Sequence, residues 1–348
     1  MNAATANVAQ VADFVPDRLA DYLKALTGAT ARLQLERTVG GMSNPTYFVR
    51  YGDWQAVLRK QPPSVLMPSA HAIDREYRVL SALHGSAVPV PQPIVYCADR
   101  EVLGTPFYLM EWLDGRIFYD YTCAAASRQE RPALFDAMAR TMATIHRLDF
   151  AKLGLADYGR PGNYFARQLN RWSQQWQSFR RGDDDNPALD ALIVWLSERV
   201  PDSTLQTLCH GDCRIGNLMF HKSEPRVIGV LDWELSTLGH PLVDVAYNSQ
   251  AWRMLPDENG GLLGVPLHEL SIPTETDYLE SYYRVASSTE RLTTFHRAFA
   301  MFRGAVGSAG VAVRGEGGNA VLPDAARVGR KLALAYATRG MHLIETNS

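Results

Sequence analysis

The sequence has few cysteines, almost no net charge and no long apolar run, and each shortage removes a class of protein. Four cysteines among 348 residues (Cys97, Cys123, Cys209 and Cys213) show no framework spacing, which fits a reducing cytoplasm better than a disulfide-stapled secreted fold. A formal net charge of −2 gives no reason to expect nucleic acid or an anionic membrane as a partner. No apolar stretch reaches membrane-spanning length, since the candidate at 298–313 is interrupted by Arg303 and by glycines. The first sixteen residues lack a basic segment followed by an apolar core, so no secretory signal is expected there. There is no internal repeat. What remains is an ordinary globular composition, 46% hydrophobic and 21% charged. The length allows two domains, each with its own core.

The chemistry-bearing residues concentrate between Thr207 and Gln250. His210-Gly211-Asp212 opens this stretch and Asn217 follows. An apolar run, Leu218 to Phe220, leads into a polar turn at Ser223-Glu224-Pro225, and the chain returns through Val227 to Leu231 to deliver Asp232. Turn residues between two apolar runs predict a hairpin, with Asn217 and Asp232 facing each other at its open end. Mg2+ takes few protein oxygens and completes its shell with water and phosphate. An Asp to orient a hydroxyl, with an Asn and a second Asp for metal, is the part list of a kinase site. Cys209 and Cys213 flank the first motif without the paired spacing of a zinc site, so they are assigned to packing.

The pattern H-G-D-x-R-x-x-N followed by L-D-W-E resembles the aminoglycoside phosphotransferase/choline kinase family and, within it, the phosphotransferase modules found beside or fused to acyl-CoA dehydrogenases. The resemblance implies an α+β, protein-kinase-like bilobal fold. A small N-terminal antiparallel sheet lobe (1–113) would bind nucleotide, and a larger, mostly helical C-terminal lobe (114–348) would hold catalysis and substrate. It also implies ATP as co-substrate, Mg2+ as cofactor, Asp212 as the catalytic residue, and Asn217 and Asp232 as metal ligands. Asp244 would brace the catalytic segment, a role compatible with capping the helix that it opens. Arg214, two residues after Asp212, either stabilises charge on the transferred phosphate or faces solvent.

In the N-terminal part, Pro16 opens a helix that Gly28 stops. Strands are expected from Leu33, over Thr46 to Arg50 and over Trp54 to Arg59. The Gly40-Gly41 tip between the first two does not match G-x-G-x-x-G, yet its backbone can lie over phosphates, with Gly41 and Ser43 as candidate contacts. Arg59 stands where the resemblance expects a phosphate-gripping lysine. Strand alternation sends Arg59 and Lys60 to opposite faces, and Arg59 is assigned to nucleotide and Lys60 to the surface. A helix over 71–84 carries Glu76, the candidate partner of Arg59. After strands at Ile94 to Ala98 and Pro106 to Met110, the segment Glu111 to Gly115 looks like a hinge that meets adenine, with Glu111 and Leu113 as candidate contacts.

Beyond Tyr119 the pattern is helical, with His146 read as structural and 304–319 as a glycine-rich loop. Five arginines and no acid between Arg160 and Arg181 suggest an anionic substrate, with Arg167 and Arg171 as candidate contacts. The expected function is γ-phosphate transfer from ATP to a hydroxyl of a small molecule, with hydroxyacyl-CoA implied by the resemblance. The alternatives are a catalytically weak nucleotide-binding scaffold and an aminoglycoside kinase, the latter disfavoured because a polycation wants an acidic pocket. A protein kinase is disfavoured because only eight residues separate Asp232 from Pro241.

Overall fold

The computed structural model describes residues 12–38, 44–62, 73–181, 185–317 and 324–346. The chain divides into two compact units: the described residues through Asp114 together with Asp232–Glu234, and Gly115–Leu231 together with the chain from Leu235. The candidate phosphate tip, including Gly41 and Ser43, lies outside the described residues.

The first unit is built on a five-stranded antiparallel sheet in the order β1-β2-β3-β5-β4. Helix α1 (Pro16–Thr27) begins at a proline that needs no amide donor and ends at Gly28, whose φ of 71° is a left-handed cap. Strands β1 (Leu33–Arg37), β2 (Thr46–Tyr51) and β3 (Trp54–Lys60) follow, then α2 (Ile73–Leu83), β4 (Pro93–Cys97) and β5 (Phe107–Met110). Alternate residues Tyr47, Val49 and Tyr51 of β2 and Ala56 and Leu58 of β3 share one core with Leu19 and Leu23 of α1. In β3, Arg59 lies opposite Tyr108 of β5 and Thr46 of β2.

Lys60 departs from expectation. It is not a surface residue: its side chain is fully buried, pairs with Asp13 at 3.1 Å and lies over the Phe14 ring. The face opposite Arg59 is itself covered, so alternation sends both cations inward to different partners. Lys60→Ala should therefore cost about 3 kcal/mol, the low end for breaking a buried ion pair because Asp13 stays partly solvated. Urea-unfolding midpoints measure this directly, and a loss under 1 kcal/mol would contradict it.

The second unit contains α3 (Arg131–His146), α4 (Tyr164–Phe179), α5 (Pro187–Ser197), two short strand pairs and later helices. Strand β6 (Thr207–Cys209) pairs with β9 (Thr237–Gly239), and β7 (Leu218–Phe220) pairs with β8 (Val227–Val230) as the predicted hairpin. Helices α6 (Leu242–Ser249), α7 (Glu275–Val285), α8 (Thr294–Glu316) and α9 (Ala325–Thr346) complete it. The glycine-rich stretch from Gly304 is not a loop but the second half of α8. Gly304 and Gly315 serve packing, since a Cβ would stand 2.7 Å from the Tyr336 ring at the first and 2.5 Å from the Ala326 amide nitrogen at the second, while Gly307 has open space around it. From the facing helix, a Cβ on Gly329 would stand 2.6 Å from the Ser308 carbonyl. The two long helices approach at backbone distance there, which overrides glycine's poor helix propensity. Among the described residues no helix is long and apolar enough to cross a membrane.

Candidate active site

The catalytic segment leaves β6 as a tight turn held from below. The Asp244 carboxylate accepts the His210 amide on Oδ2 at 2.6 Å and the Gly211 amide on Oδ1 at 2.8 Å. His146 Nε2 stands 3.2 Å from Oδ2, and its Nδ1 is 2.8 Å from the Tyr282 hydroxyl. Burial works to raise the Asp244 pKa, but the donors from His146, His210 and Gly211 outweigh it and hold the carboxyl below its ordinary value. His146, Cys209 and Asp244 are close enough to suggest a metal. Both Asp244 oxygens are already engaged by the segment that they brace.

His210 is fully buried. Its Nδ1 accepts the Asp212 amide at 3.2 Å, which leaves Nε2–H to donate to the Leu231 carbonyl at 2.8 Å. Gly211 sits at φ 84°, and a Cβ there would collide with the Leu235 carbonyl. The middle residue of the motif is therefore glycine for steric reasons. From α8 the buried Arg303 donates Nη2 to the Gly211 carbonyl at 2.9 Å, with its guanidinium over the Tyr247 and Trp172 rings. Gly211→Ala should lower both stability, by more than about 1 kcal/mol, and turnover. An unfolding curve and an activity assay on one preparation test this, and a fully stable, active variant would contradict it.

The turn presents Asp212. Asn217 Nδ2 bonds both its backbone carbonyl and its Oδ2 at 2.9 Å, and Arg214 Nε reaches Oδ2 at 3.4 Å. Tyr247 lies nearby, its phenol pKa pushed up by burial and by the Asp212 carboxylate. Because Asn217 spends its amide nitrogen on Asp212, its oxygen is the atom left for a ligand. The Asn217 carbonyl accepts the Leu231 amide at 2.9 Å, so the hairpin register sets Asn217 opposite Leu231, one residue before Asp232. Arg214 is half-exposed and not isolated: it pairs with Asp212 and folds back beside Gly216.

The other cluster lies in the first unit. Arg59 Nε is 3.1 Å from Glu76 Oε2, its Nη2 is 2.5 Å from Asp232 Oδ1, and the same nitrogen is 3.5 Å from Glu234 Oε2. The Arg59–Glu76 contact is close but off the hydrogen-bond direction, leaving both atoms without a bond in that sense. Burial, and the carboxylates of Asp232 and Glu234, push the Glu76 pKa up to about 7 against the pull of Arg59. Three carboxylates thus lie within 3.5 Å of the Arg59 guanidinium. Asp232 itself holds φ 65°, a left-handed conformation rare outside glycine and concentrated at functional sites. Asn44, buried, donates Nδ2 to Glu234 Oε2 at 3.3 Å. Neither Asn44 nor Glu234 was singled out from sequence, although Glu234 closes the L-D-W-E motif.

Among the other expected site residues, the Glu111 amide donates to the Gln92 carbonyl and its side chain accepts the Gln92 amide, which leaves its backbone carbonyl, while Leu113 is half-buried. Of the arginines between 160 and 181, two are paired with acids. Arg167 Nη1 is bound to the Pro161 and Gly162 carbonyls, Arg180 pairs with Asp190 and Arg181 with Glu316. Arg171 lies over the Trp172 ring. Counting arginines along the chain could not reveal acids that come from distant helices.

The model of the phosphotransferase enzyme family known as APH matches residues 34–264, which include both clusters. The chain belongs to this family. Over 335 residues the phosphotransferase is 38% identical to acyl-CoA dehydrogenase family member 10 of Mus musculus, a match covering 93% of this chain and 31% of that protein. The chain thus spans about a third of the length of the curated relatives that it matches. A crystal structure from Ralstonia eutropha JMP134, provisionally assigned as an aminoglycoside phosphotransferase, superposes with a TM-score of 0.83 at 37% identity, covering 96% of this chain and 99% of that one. A thermostable mutant of aminoglycoside phosphotransferase APH(4)-Ia, solved with AMP-PNP and hygromycin B, shares the fold at 18% identity and a TM-score of 0.61, covering 92% and 98% of the two chains. The phosphotransferase is therefore α+β and protein-kinase-like, as its motifs imply.

Proposed function

We propose that this phosphotransferase moves the γ-phosphate of ATP to a hydroxyl of a small molecule. The observation that carries this reading is Asp212, a carboxylate held by Asn217 and Arg214 on a turn that Asp244 braces. Fixing it in advance removes the entropic cost of aligning a base with an incoming hydroxyl. Asp212 orients that hydroxyl and takes its proton as the oxygen–phosphorus bond forms and ADP leaves. Arg59 holds α- and β-phosphate oxygens, while Glu76 and Glu234 position its guanidinium. Gly41 and Ser43 contact phosphate through the tip, and Glu111 and Leu113 offer backbone groups to the base. Asn217 and Asp232 would hold Mg2+, each offering a hard oxygen suited to it, the Asn217 amide nitrogen being already spent on Asp212. When bound, Mg2+ neutralises charge on the β- and γ-phosphates.

A hydroxyacyl-CoA is the finer reading of the acceptor, supported by the likeness to acyl-CoA dehydrogenase family members. The four cysteines are buried and free, in keeping with a cytoplasmic protein. An ADP-release assay over hydroxyacyl-CoAs, hydroxy acids and aminoglycosides tests both levels. Release driven only by aminoglycosides would overturn the acceptor reading. Tight nucleotide binding with no release for any acceptor would favour a scaffold.

A further inference from the structure

In the second unit a pocket opens beside Arg214, lined among others by Tyr119, Tyr121, Gln250, Asn259 and Tyr336. Its polar groups are arranged unevenly. Asn259 Nδ2 donates to the Tyr336 hydroxyl at 3.0 Å. That phenol oxygen is thus already an acceptor, which leaves its own proton to be given to something else. Burial raises the phenol pKa values of Tyr121 and Tyr336, the latter to about 12, so both keep their protons near neutral pH. Arg214 spends Nε on Asp212, and its Nη groups carry no hydrogen bond among the described residues. Against these donors stands a buried acceptor, Gln250 Oε1, which has no partner among the described residues. No carboxylate lines the pocket.

A cationic, donor-bearing wall with a buried acceptor left unpartnered is complementary to an oxygen-rich group that also has a hydrogen to give. It is anti-complementary to an ammonium. The geometry points to this pocket as the acceptor subsite, taking the oxyanion of a hydroxylated substrate, a carboxylate or a phosphate, on Arg214, Tyr121 and Tyr336, with a substrate hydroxyl donating to Gln250. The inference rests on the phosphotransfer reading and deepens it, because Arg214 joins this pocket to Asp212. It also moves Arg214 from the transferred phosphate to acceptor recognition, and moves anion recognition away from Arg167 and Arg171.

The test is isothermal titration of malonate, methyl phosphate and neutral malonamide into the whole protein, with and without saturating Mg2+–AMP-PNP. The nucleotide keeps anions out of the ATP site. At least one anion should bind better than malonamide, and which one it is distinguishes carboxylate from phosphate. Arg214→Gln should weaken that binding roughly tenfold or more, the loss expected for a charged hydrogen bond. Gln250→Glu, which adds a carboxylate, should weaken it similarly, and Tyr336→Phe less. Anion binding unchanged in Arg214→Gln and Gln250→Glu, or no preference over malonamide, overturns the inference. Failure of AMP-PNP itself to bind overturns the phosphotransfer reading instead, and the nucleotide-free titration still decides the pocket.

Discussion

Asp212→Asn should leave ATP bound and slow phosphoryl transfer by roughly 100- to 10,000-fold, the usual worth of a positioned general base. The amide can still accept a hydrogen bond, but it cannot take the hydroxyl proton as transfer proceeds. Asn217 and Arg214 donate to Oδ2, so the substitution also risks turning an amide NH2 towards two donors. Single-turnover transfer measured beside a nucleotide titration separates the two effects. A variant that binds ATP normally and turns over at the wild-type rate would remove Asp212 from the mechanism.

Arg59→Met should be among the most destabilising single changes in the first unit. It removes the guanidinium that pairs with Glu76, Asp232 and Glu234 and leaves the buried Glu76 carboxyl without this partner. The loss should be about 3 kcal/mol, the low end for breaking a buried ion pair because Glu76 can take up a proton. The double variant Arg59→Met/Glu76→Gln should lose much less than the sum of the two single changes, because the partners touch. Glu76 also gives the pair a pH signature. Its pKa is raised above that of the unfolded chain, so the folded state binds more protons between the two values, and stability falls as pH rises from the ordinary carboxylate range towards about 7. Glu76→Gln removes that term, so its stability relative to wild type should improve on going from pH 5 to pH 8. Denaturant midpoints at the two pH values measure it, and a constant difference would mean that Glu76 is ionised throughout.

The motifs were legible because their function depends on short spacings. His210 to Asn217 is one turn and the β7–β8 return is one hairpin, so local rules reach both. Arg59 was legible for a similar reason: strand alternation has a period of two, and β3 is long enough to show it. What lay beyond the sequence was anything decided at long range. His146 looks structural in its own helix, and only the approach of Asp244, 98 residues away, makes it part of the brace under the catalytic turn. Lys60 looked exposed because nothing nearby announces Asp13 and Phe14 above it. The glycines of α8 looked like a loop because local propensity was weighed without the partner helix against which Gly304 and Gly315 pack.

That seam between α8 and α9 bears on how such a protein can change its substrate. Arg303 and Gly304 are neighbours on one helix: the first holds the Gly211 carbonyl, and the second makes room for the ring of Tyr336, which lines the pocket beside Arg214. Remodelling the pocket through Tyr336 therefore pulls on the helix that steadies the catalytic turn, and new acceptors reached that way would arrive with impaired chemistry. Tyr119, most of whose surface is open to solvent, carries no such linkage. Specificity in descendants of this sequence should drift first on that side of the pocket, with Tyr336 and Gly304 changing only together.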